Sequence, residues 1–199
     1  MGTATRDRAP LVDEDALDDL VRAAVGRVRG RVLEVGAGDG ENFGAFDPSV
    51  EWIGLEPDAD RRAELATRAR EWGHRDRAPL DAVCESIPLP DASVDAVVGT
   101  YMLCSVTDPA AALAEVRRVL VPGGRVVFAD HVASPPGTLH RAVQRLATPL
   151  TVRFDHGCHL DRDTRAALDA AGFVGDAVTS VRVGPMLRVP VLLFEGHAS

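Results

Sequence analysis

Short apolar runs alternate with amphipathic stretches over the first two thirds of the chain. Buried strands are predicted for RVLEVG, EWIGLE, SVDAVVGTY and RVVFADH, and less strongly for LDAVCE. Apolar residues at helical spacing predict helices over 15–28, 58–73 and 108–120. This alternation predicts an α/β fold, doubly wound, with a mostly parallel sheet and helices on both of its faces.

The pattern changes after residue 133. The breaker SPPG is followed by a predicted helix over about 138–146, the irregular segment FDHGCHLDR and a helix at TRAALDAAG. The last two runs, FVGDAVTSVRVG and LRVPVLLFEG, alternate as antiparallel edge strands do. Because neither a repeat nor a linker divides the chain, we expect one domain over 1–199. Within it we distinguish an N-terminal helix (1–30), a core (31–133) and a C-terminal segment (134–199).

Composition narrows the classes of protein. The 199 residues carry a formal charge of −8, which disfavours a nucleic-acid partner because such binding depends on basic surfaces. All 22 basic residues are arginine, so lysine chemistry is excluded, and the pair Arg61-Arg62 is expected on a solvated helix face. Three widely spaced cysteines and a charged N-terminus predict a cytoplasmic protein without a membrane partner.

The segment Glu34-Val35-Gly36-Ala37-Gly38-Asp39-Gly40 follows the first predicted strand. Glycines at this place allow a tight turn and the close approach of a ligand to the backbone. About 20 residues further on, Glu56 ends the second strand, where a carboxylate can accept both hydroxyls of a ribose. The two features together predict a nucleoside-containing ligand, although a simple tight turn is the alternative interpretation of the glycines alone.

The glycine spacing and the charges favour one type of nucleoside. The dinucleotide fingerprint G-x-G-x-x-G, counted from Gly36, needs a glycine where this chain has Glu41. Carboxylates at Glu34, Asp39 and Glu41 surround the loop, which disfavours a pyrophosphate and suits a cation. S-adenosylmethionine carries a sulfonium and an ammonium, so the sequence favours this cofactor over a nicotinamide dinucleotide.

Four segments, VLEVGAGDGENF, IGLEPDA, ESIPLPDASVDAVVGTYMLCSV and LAEVRRVLVPGGRVVFADHV, resemble the motifs of class I S-adenosylmethionine-dependent methyltransferases. The resemblance covers roughly residues 30–133 and implies a seven-stranded sheet of order 3-2-1-4-5-7-6, with strand 7 antiparallel. The implied cofactor-binding residues follow successive strands: Glu34, Gly36, Ala37, Gly38, Gly40 and Asn42, then Glu56 and Pro57, then Cys84 and Glu85, then Thr100 and Tyr101. Residues 134–199 would then form the acceptor side. From the position of residues 1–30 before the first strand, we also expect a lid over the cofactor.

A narrower resemblance extends nearly to the C-terminus. The segments TYMLCSV, ADHV and GCHLDRDTRAALDAAGF are similar to the methyltransferase-like subfamily of thiol S-methyltransferases. The N-terminal segment does not resemble the hydrophobic anchor of the animal members, so we expect no membrane anchor. The chain also has Asp155-His156-Gly157-Cys158 where they have Asp-Gly-Cys, a difference that concerns the acceptor pocket. The similarity itself implies a small acceptor, with a thiol slightly favoured over a hydroxyl.

Candidate catalytic residues lie at or near the predicted carboxyl edge of the sheet. They are His131, at the end of the fifth strand, Tyr101, at the end of the fourth, and Asp155 and His159 in the irregular segment. A histidine is the natural base at neutral pH. The alternatives are structural: loop orientation for His131, helix capping for His159, turn hydrogen bonds for Asp155 and core packing for Tyr101.

We expect no metal, because neighbouring residues such as Asp155, His156, Cys158 and His159 rarely converge on one ion. The sequence therefore predicts a methyltransferase that uses S-adenosylmethionine and a small-molecule acceptor. Two alternatives stay open: an enzyme of the same fold that catalyses a cyclisation, rearrangement or elimination, and a binding protein without turnover. The sequence does not indicate an oligomeric state.

Overall fold

A computed structural model describes residues 9–74, 78–154, 156–184 and 189–199. Its strands are β1 (Leu11–Val12), β2 (Arg31–Val35), β3 (Glu51–Leu55), β4 (Val94–Thr100), β5 (Leu120–His131), β6 (Phe173–Val183) and β7 (Val189–Ala198). Its helices are α1 (Glu14–Val25), α2 (Ala59–Glu71), α3 (Pro109–Val119), α4 (Leu139–Phe154) and α5 (Thr164–Ala170).

Within the described residues, seven strands form one mixed sheet in the order β1-β6-β7-β5-β4-β2-β3. Strands β3, β2, β4 and β5 are parallel, and β7 runs antiparallel to both β5 and β6. The predicted fold class is therefore confirmed, with the expected order read from the other edge. β7 lies inside the sheet rather than at an edge.

The two edges of the sheet differ in detail from the prediction. The expected third strand, LDAVCE, contributes only a parallel bridge between Leu55 and Leu80. The chain then turns at Val83, whose carbonyl accepts a hydrogen bond from the amide of Ser86. At the opposite edge the short β1 pairs in parallel with β6, so the sheet still has seven strands.

Aspartates begin four of the predicted helices, among them α5, where the Asp163 carboxylate accepts from the amide of Ala166. Asp13, Asp58 and Asp108 accept hydrogen bonds from the first-turn amides of α1, α2 and α3, as is typical of N-cap residues. Helix α1 ends at Val25, three residues earlier than expected. Helix α4 continues to Phe154, well beyond the predicted end at residue 146.

The extension of α4 coincides with contacts to the segment that follows it. The buried amide of Gln144 donates to the carbonyl of Val132 and accepts from the amide of Ser134, which joins the helix to the end of β5. One turn from the end, the Thr151 hydroxyl donates to the carbonyl of Cys158 at 2.7 Å. The inner face of α4 therefore covers the carboxyl end of the sheet.

The outer face of α4 is apolar. Leu139, Leu146 and Phe154 are each 79% exposed, and Leu150 lies on the same side. The helix contains no acidic residue. Among the described helices, none combines the length and apolarity needed to cross a membrane.

Apolar side chains cover both faces of the sheet. Leu33 and Val97 face one side, where they pack in a cluster with Leu113 of α3. The alternate residues, such as Val32 and Val98, face the other side and pack in a cluster with α1. The parallel strands β2, β3, β4 and β5 point their carboxyl ends to one edge, where the sequence places the glycine segment and the candidate catalytic residues.

Candidate active site

Two adjoining cavities lie at the carboxyl edge of the sheet. The first cavity, of about 150 Å³, extends from Gly36, Ala37 and Gly38 to Cys104, His131 and Cys158. The second cavity, of about 360 Å³, is bordered by Glu56, Pro57, Cys84 and Glu85. The residues that line both cavities are Gly36, Arg61, Tyr101, Ser105 and His156.

Three glycines shape the loop after β2. Gly36, Gly38 and Gly40 have φ angles of +64°, +56° and +87°, a backbone region that side chains with a Cβ adopt only at a cost. A Cβ atom added to Gly38 would lie 2.3 Å from Nη2 of Arg61. The loop is therefore held against this guanidinium and leaves its backbone open to the first cavity, as expected for a ligand-binding turn.

Glu56 connects the ends of β2 and β3. Its buried carboxylate accepts a hydrogen bond from the amide of Gly38 at Oε2 and from the amide of Asp58 at Oε1, both at 2.9 Å. Each carboxylate oxygen retains a second lone pair. Because Glu56 also lines the second cavity, its position fits the predicted acceptor of ribose hydroxyls.

Glu34 is directed away from both cavities. Its carboxylate is 1% exposed and accepts from Nδ2 of Asn42 and Nε1 of Trp52, each at 2.7 Å. Burial raises the pKa of Glu34 to about 7, against the lowering effect of these two hydrogen bonds. Asn42 also donates to Thr100, so Asn42 links Glu34 to the end of β4. Direct contact of Glu34 with a cofactor stays a prediction.

Cys84 and Glu85 have structural partners beside the second cavity. The buried Cys84 thiol donates to the carbonyl of Ala112, and burial raises its pKa. Glu85 accepts hydrogen bonds from the amides of Thr107 and Asp108 at 2.7 and 3.1 Å, which positions the start of α3. Both residues border the cavity, and their predicted contact with adenine stays a prediction.

Tyr101 separates the two cavities. Its φ angle of +55° is unusual for a residue other than glycine, and its amide donates to the carbonyl of Ala129 at 2.6 Å. Burial raises the pKa of the phenol to about 12, so Tyr101 stays protonated at neutral pH. Its ring lies 5.0 Å from that of His131, which places both predicted catalytic residues in the first cavity.

A cluster of two thiols and an imidazole forms the far wall of the first cavity. The ligand atoms of Cys104, His131 and Cys158 all lie within 4.8 Å of one another. Sγ of Cys158 is 3.5 Å from Nδ1 of His131. We call these three residues the thiol–imidazole cluster. The two cysteines were not predicted as site residues, because they are far apart in the sequence: Cys104 follows β4 and Cys158 follows α4.

Charged groups surround the thiol–imidazole cluster. Asp130 is buried, and its Oδ1 accepts from the amide of Cys104 at 3.0 Å, whereas its Oδ2 has no hydrogen-bond partner among the described residues. Burial and the nearby Cys104 thiol raise the pKa of Asp130. Arg162 donates to the carbonyl of Leu103 at 2.7 Å. Burial lowers the Arg162 pKa, which the two thiols and Asp130 oppose.

The other predicted catalytic residues are placed differently. His159 lines neither cavity; its amide donates to the carbonyl of Cys104 at 2.8 Å, and burial lowers its pKa. Asp155 lies outside the described residues. His156 and Arg61, which the sequence did not indicate as site residues, line both cavities. Arg61, expected on a solvated helix face, is half-buried beside the glycine loop. The signal that could have found both residues is closeness in the sequence to predicted site residues. His156 comes directly after α4 and Asp155, and Arg61 lies in the first turn of α2, shortly after Glu56.

These residues fit the predicted cofactor. The first cavity presents the carboxylates of Asp39 and Glu41 and the guanidinium of Arg61, which match the cationic groups and the carboxylate of S-adenosylmethionine. Asp39 is partly neutralised by Arg68 at 3.2 Å, so the loop is less acidic than its sequence indicates. The backbone opened by Gly36 and Gly38, with Glu56 beside it, fits the predicted nucleoside.

The strand order, the glycine loop and the acidic end of β3 define a class I S-adenosylmethionine-dependent methyltransferase. A family model described as a methyltransferase domain matches residues 33–128, the part of the chain that contains these features. Residues 33–128 therefore form a methyltransferase domain of this family, whose cofactor is S-adenosylmethionine.

Individual methyltransferases and proteins of the same fold are similar to this chain in sequence and structure. The chain is 35% identical over 144 residues to rat thiol S-methyltransferase TMT1B, covering 71% of this chain and 59% of the relative. The crystal structure of Bacillus subtilis YcgJ has a TM-score of 0.73 at 21% identity and covers 92% of this chain and 98% of YcgJ. The [4+2]-cyclase SpnF has a TM-score of 0.72 at 22% identity, with coverage of 92% and 80%. The chain thus spans about three fifths of the curated relatives it matches.

Proposed function

We propose that the chain transfers a methyl group from S-adenosylmethionine to a small-molecule acceptor, and that a thiol is favoured over a hydroxyl. The observation that carries this proposal is the pair of adjoining cavities. One is bordered by Glu56, which fits a ribose, and the other extends from the glycine loop to the thiol–imidazole cluster. The thiol S-methyltransferases among the similar proteins support the acceptor class.

S-adenosylmethionine, when bound, supplies an electrophilic methyl group. The task of the chain is then to hold the acceptor in line, at about 3–3.5 Å, and to take up its proton. A thiol with a pKa near ~8.5 needs little assistance, whereas a phenol near ~10 needs a base. Tyr101 stays protonated, so His131, which lines the same cavity, is the better candidate to accept a proton.

The C-terminal segment forms the acceptor side in this proposal. Helix α4 contacts the segment after it through Thr151 and Cys158, and His131 and Cys158 both line the first cavity. His159 and Asp155 stay secondary candidates for catalysis, and residues 1–30 a candidate lid.

We also retain the expectations of a cytoplasmic location and of no nucleic-acid or membrane partner. Flotation with anionic vesicles tests the membrane expectation directly, because the exposed face of α4 is apolar.

Thermal melting with S-adenosylmethionine, S-adenosylhomocysteine and NAD tests the cofactor. A ligand at 100 times its dissociation constant stabilises the folded state by about 2.7 kcal/mol, which raises the midpoint by about 5–10 °C for a chain of this size. We expect this shift with the two adenosyl ligands and not with NAD. Glu56→Gln should reduce the shift. Glu71→Gln, a charge change at an exposed position of α2, is the matched control and should retain it.

Mass spectrometry with mixed thiols, phenols and amines tests the reaction. We expect a methylated thiol together with S-adenosylhomocysteine. Methylation of phenols or amines but never of thiols would contradict the acceptor class alone. Binding of the adenosyl ligands with no methylated product from any acceptor would contradict methyl transfer and favour a reaction such as cyclisation, for which SpnF is named. A melting shift with NAD alone would contradict the cofactor.

A further inference from the structure

We propose that Cys104, His131 and Cys158 bind a zinc ion through their side chains and leave a fourth coordination position open to the sulfur of the acceptor. This proposal rests on the proposed function for its acceptor and on the geometry of the thiol–imidazole cluster for its metal. Two thiolates and one imidazole are a ligand set typical of zinc. Catalytic zinc sites hold three protein ligands and keep one position for water or substrate.

The distances agree with a tetrahedral centre. With Zn–S bonds of about 2.3 Å and a Zn–N bond of about 2.0–2.1 Å, ligand atoms of such a centre lie about 3.5–3.8 Å apart. The distance from Sγ of Cys158 to Nδ1 of His131 is 3.5 Å. All three ligand atoms lie within 4.8 Å of one another, so side-chain movements of roughly 1 Å close the widest pair to the tetrahedral distance.

The backbone holds the cluster in place independently of any ligand. The amide of Cys104 donates to Asp130, and the carbonyl of Cys104 accepts from the amide of His159. The carbonyl of Cys158 accepts from Thr151 of α4. Strand β5 fixes His131 at its last residue. Ligands from three parts of the chain are therefore already close together, as a preorganised metal site requires.

The charges near the cluster are compatible with a dication. Zinc and two thiolates are neutral together, so the centre adds no net charge to the buried region around Cys104 and Cys158. One oxygen of the adjacent Asp130 has no hydrogen-bond partner among the described residues. The open position faces the first cavity, because all three ligands line it together with the glycine loop.

The metal changes how the acceptor is activated. On binding to zinc, the acceptor thiol releases its proton to water, since a coordinating thiol is deprotonated at neutral pH. Its sulfur then bonds to the methyl carbon while the carbon–sulfur bond of the sulfonium breaks, and that electron pair stays on the departing sulfur. The products are a thioether, S-adenosylhomocysteine and the released proton. His131 holds the metal in this arrangement, and this role replaces that of proton acceptor, which the proposed function assigns to His131 without a metal.

Cobalt(II) is the probe for the site, because its thiolate complexes absorb near-ultraviolet and visible light and those of zinc do not. Chelator-treated protein should bind one equivalent of cobalt with thiolate-to-cobalt charge-transfer absorption from two thiolates. We expect Cys104→Ser and Cys158→Ser each to lose about half of this absorption. Each variant should also bind the metal at least about 100-fold more weakly, since even groups outside the coordination sphere are worth about 10–100-fold. Cys84→Ser, at the third buried cysteine, is the matched control and should retain the wild-type spectrum.

The wild-type chain provides a test that does not depend on the folding of the variants. Folded wild-type protein with no charge-transfer absorption at one equivalent of cobalt overturns the proposal, as does an unchanged spectrum in folded Cys104→Ser and Cys158→Ser. Benzyl mercaptan, added to the cobalt-loaded chain, should increase the absorption by about half, whereas benzyl alcohol should not. If the thiol leaves the spectrum unchanged, the proposal that the fourth coordination position is open to the acceptor sulfur is overturned.

The outcomes also separate this inference from the proposed function. Thiol methylation at an undiminished rate by metal-free protein would refute the zinc site and leave the methyltransferase intact. Cobalt and thiol binding with no methylated product would support the metal site and contradict methyl transfer.

Discussion

The proton on Glu34 offers a quantitative test of the electrostatics beneath the glycine loop. Burial raises the pKa of Glu34 from 4.5 to about 7. The native chain therefore holds this proton more tightly than the unfolded chain does. Its stabilising contribution is complete below pH ~4.5 and is lost as the pH rises through ~7. From these two pKa values, the loss between pH 5 and pH 8 is about 2.5 kcal/mol of unfolding free energy.

The substitution Glu34→Gln removes the titrating group and keeps the shape of the side chain. Glutamine has one oxygen and can accept from only one of Asn42 and Trp52, which lowers stability by about 1–3 kcal/mol at every pH. This constant cost cancels when the pH dependence of the variant is subtracted from that of the wild type. Titration of Asp130, which is present in both proteins, cancels as well.

Urea unfolding at pH 5 and pH 8, followed by the fluorescence of the two tryptophans, measures the difference. Wild type should lose about 2.5 kcal/mol more than Glu34→Gln between these pH values. Glu71→Gln should show the pH dependence of the wild type. If wild type and Glu34→Gln lose stability equally, the carboxylate is ionised throughout, and the hydrogen bonds from Asn42 and Trp52 outweigh desolvation.

Three further predictions concern the cavities. Gly38→Ala should weaken binding of S-adenosylhomocysteine, measured by calorimetry, because the added Cβ would displace Arg61. The positive φ at residue 38 should also make the variant less stable by about 1–2 kcal/mol. Unchanged affinity would contradict the assigned role of the loop. Glu56→Gln should weaken the same ligand by about 10–100-fold, since it removes charge-assisted hydrogen bonds worth about 1.5–3 kcal/mol, and wild-type affinity would show that Glu56 does not contact the ribose. Tyr101→Phe should leave the midpoint of the pH–rate profile unchanged, because the phenol with its pKa of about 12 does not titrate near neutral pH; a moved midpoint would identify Tyr101 as a proton carrier.

The fold could be predicted because its signals are local. Apolar runs and helical spacing indicate strands and helices directly, and Asp13, Asp58 and Asp108 begin the helices that follow them. The predictions of strands and helix ends are wrong where tertiary contacts determine the local structure. LDAVCE has the composition of a strand but turns away after one bridge at Leu80. Helix α4 extends past residue 146 where Thr151 contacts a segment that no local pattern pairs with it.

The cofactor side of the site could be predicted for the same reason. Gly36–Gly40 and Glu56 each follow a strand immediately, and parallel strands bring their carboxyl ends together. The partners of each side chain could not be predicted. Glu34 satisfies both oxygens with Asn42 and Trp52, and Arg61 enters the cavity from a helix whose arginines are otherwise consistent with a solvated surface.

The residues of the acceptor side come together in the fold although they are far apart in the sequence. Cys104 and His131 follow the adjacent strands β4 and β5, so the sheet alone brings them to one edge. Cys158 arrives there only because α4 returns the chain across that edge, and the amide of His159 then pairs with the carbonyl of Cys104. In the sequence, Cys158 has His156 and His159 as its neighbouring potential metal ligands, and such closely spaced residues rarely converge on one ion. The relevant partners of Cys158 are set by topology, and they lie beside the site at which the methyl donor is expected.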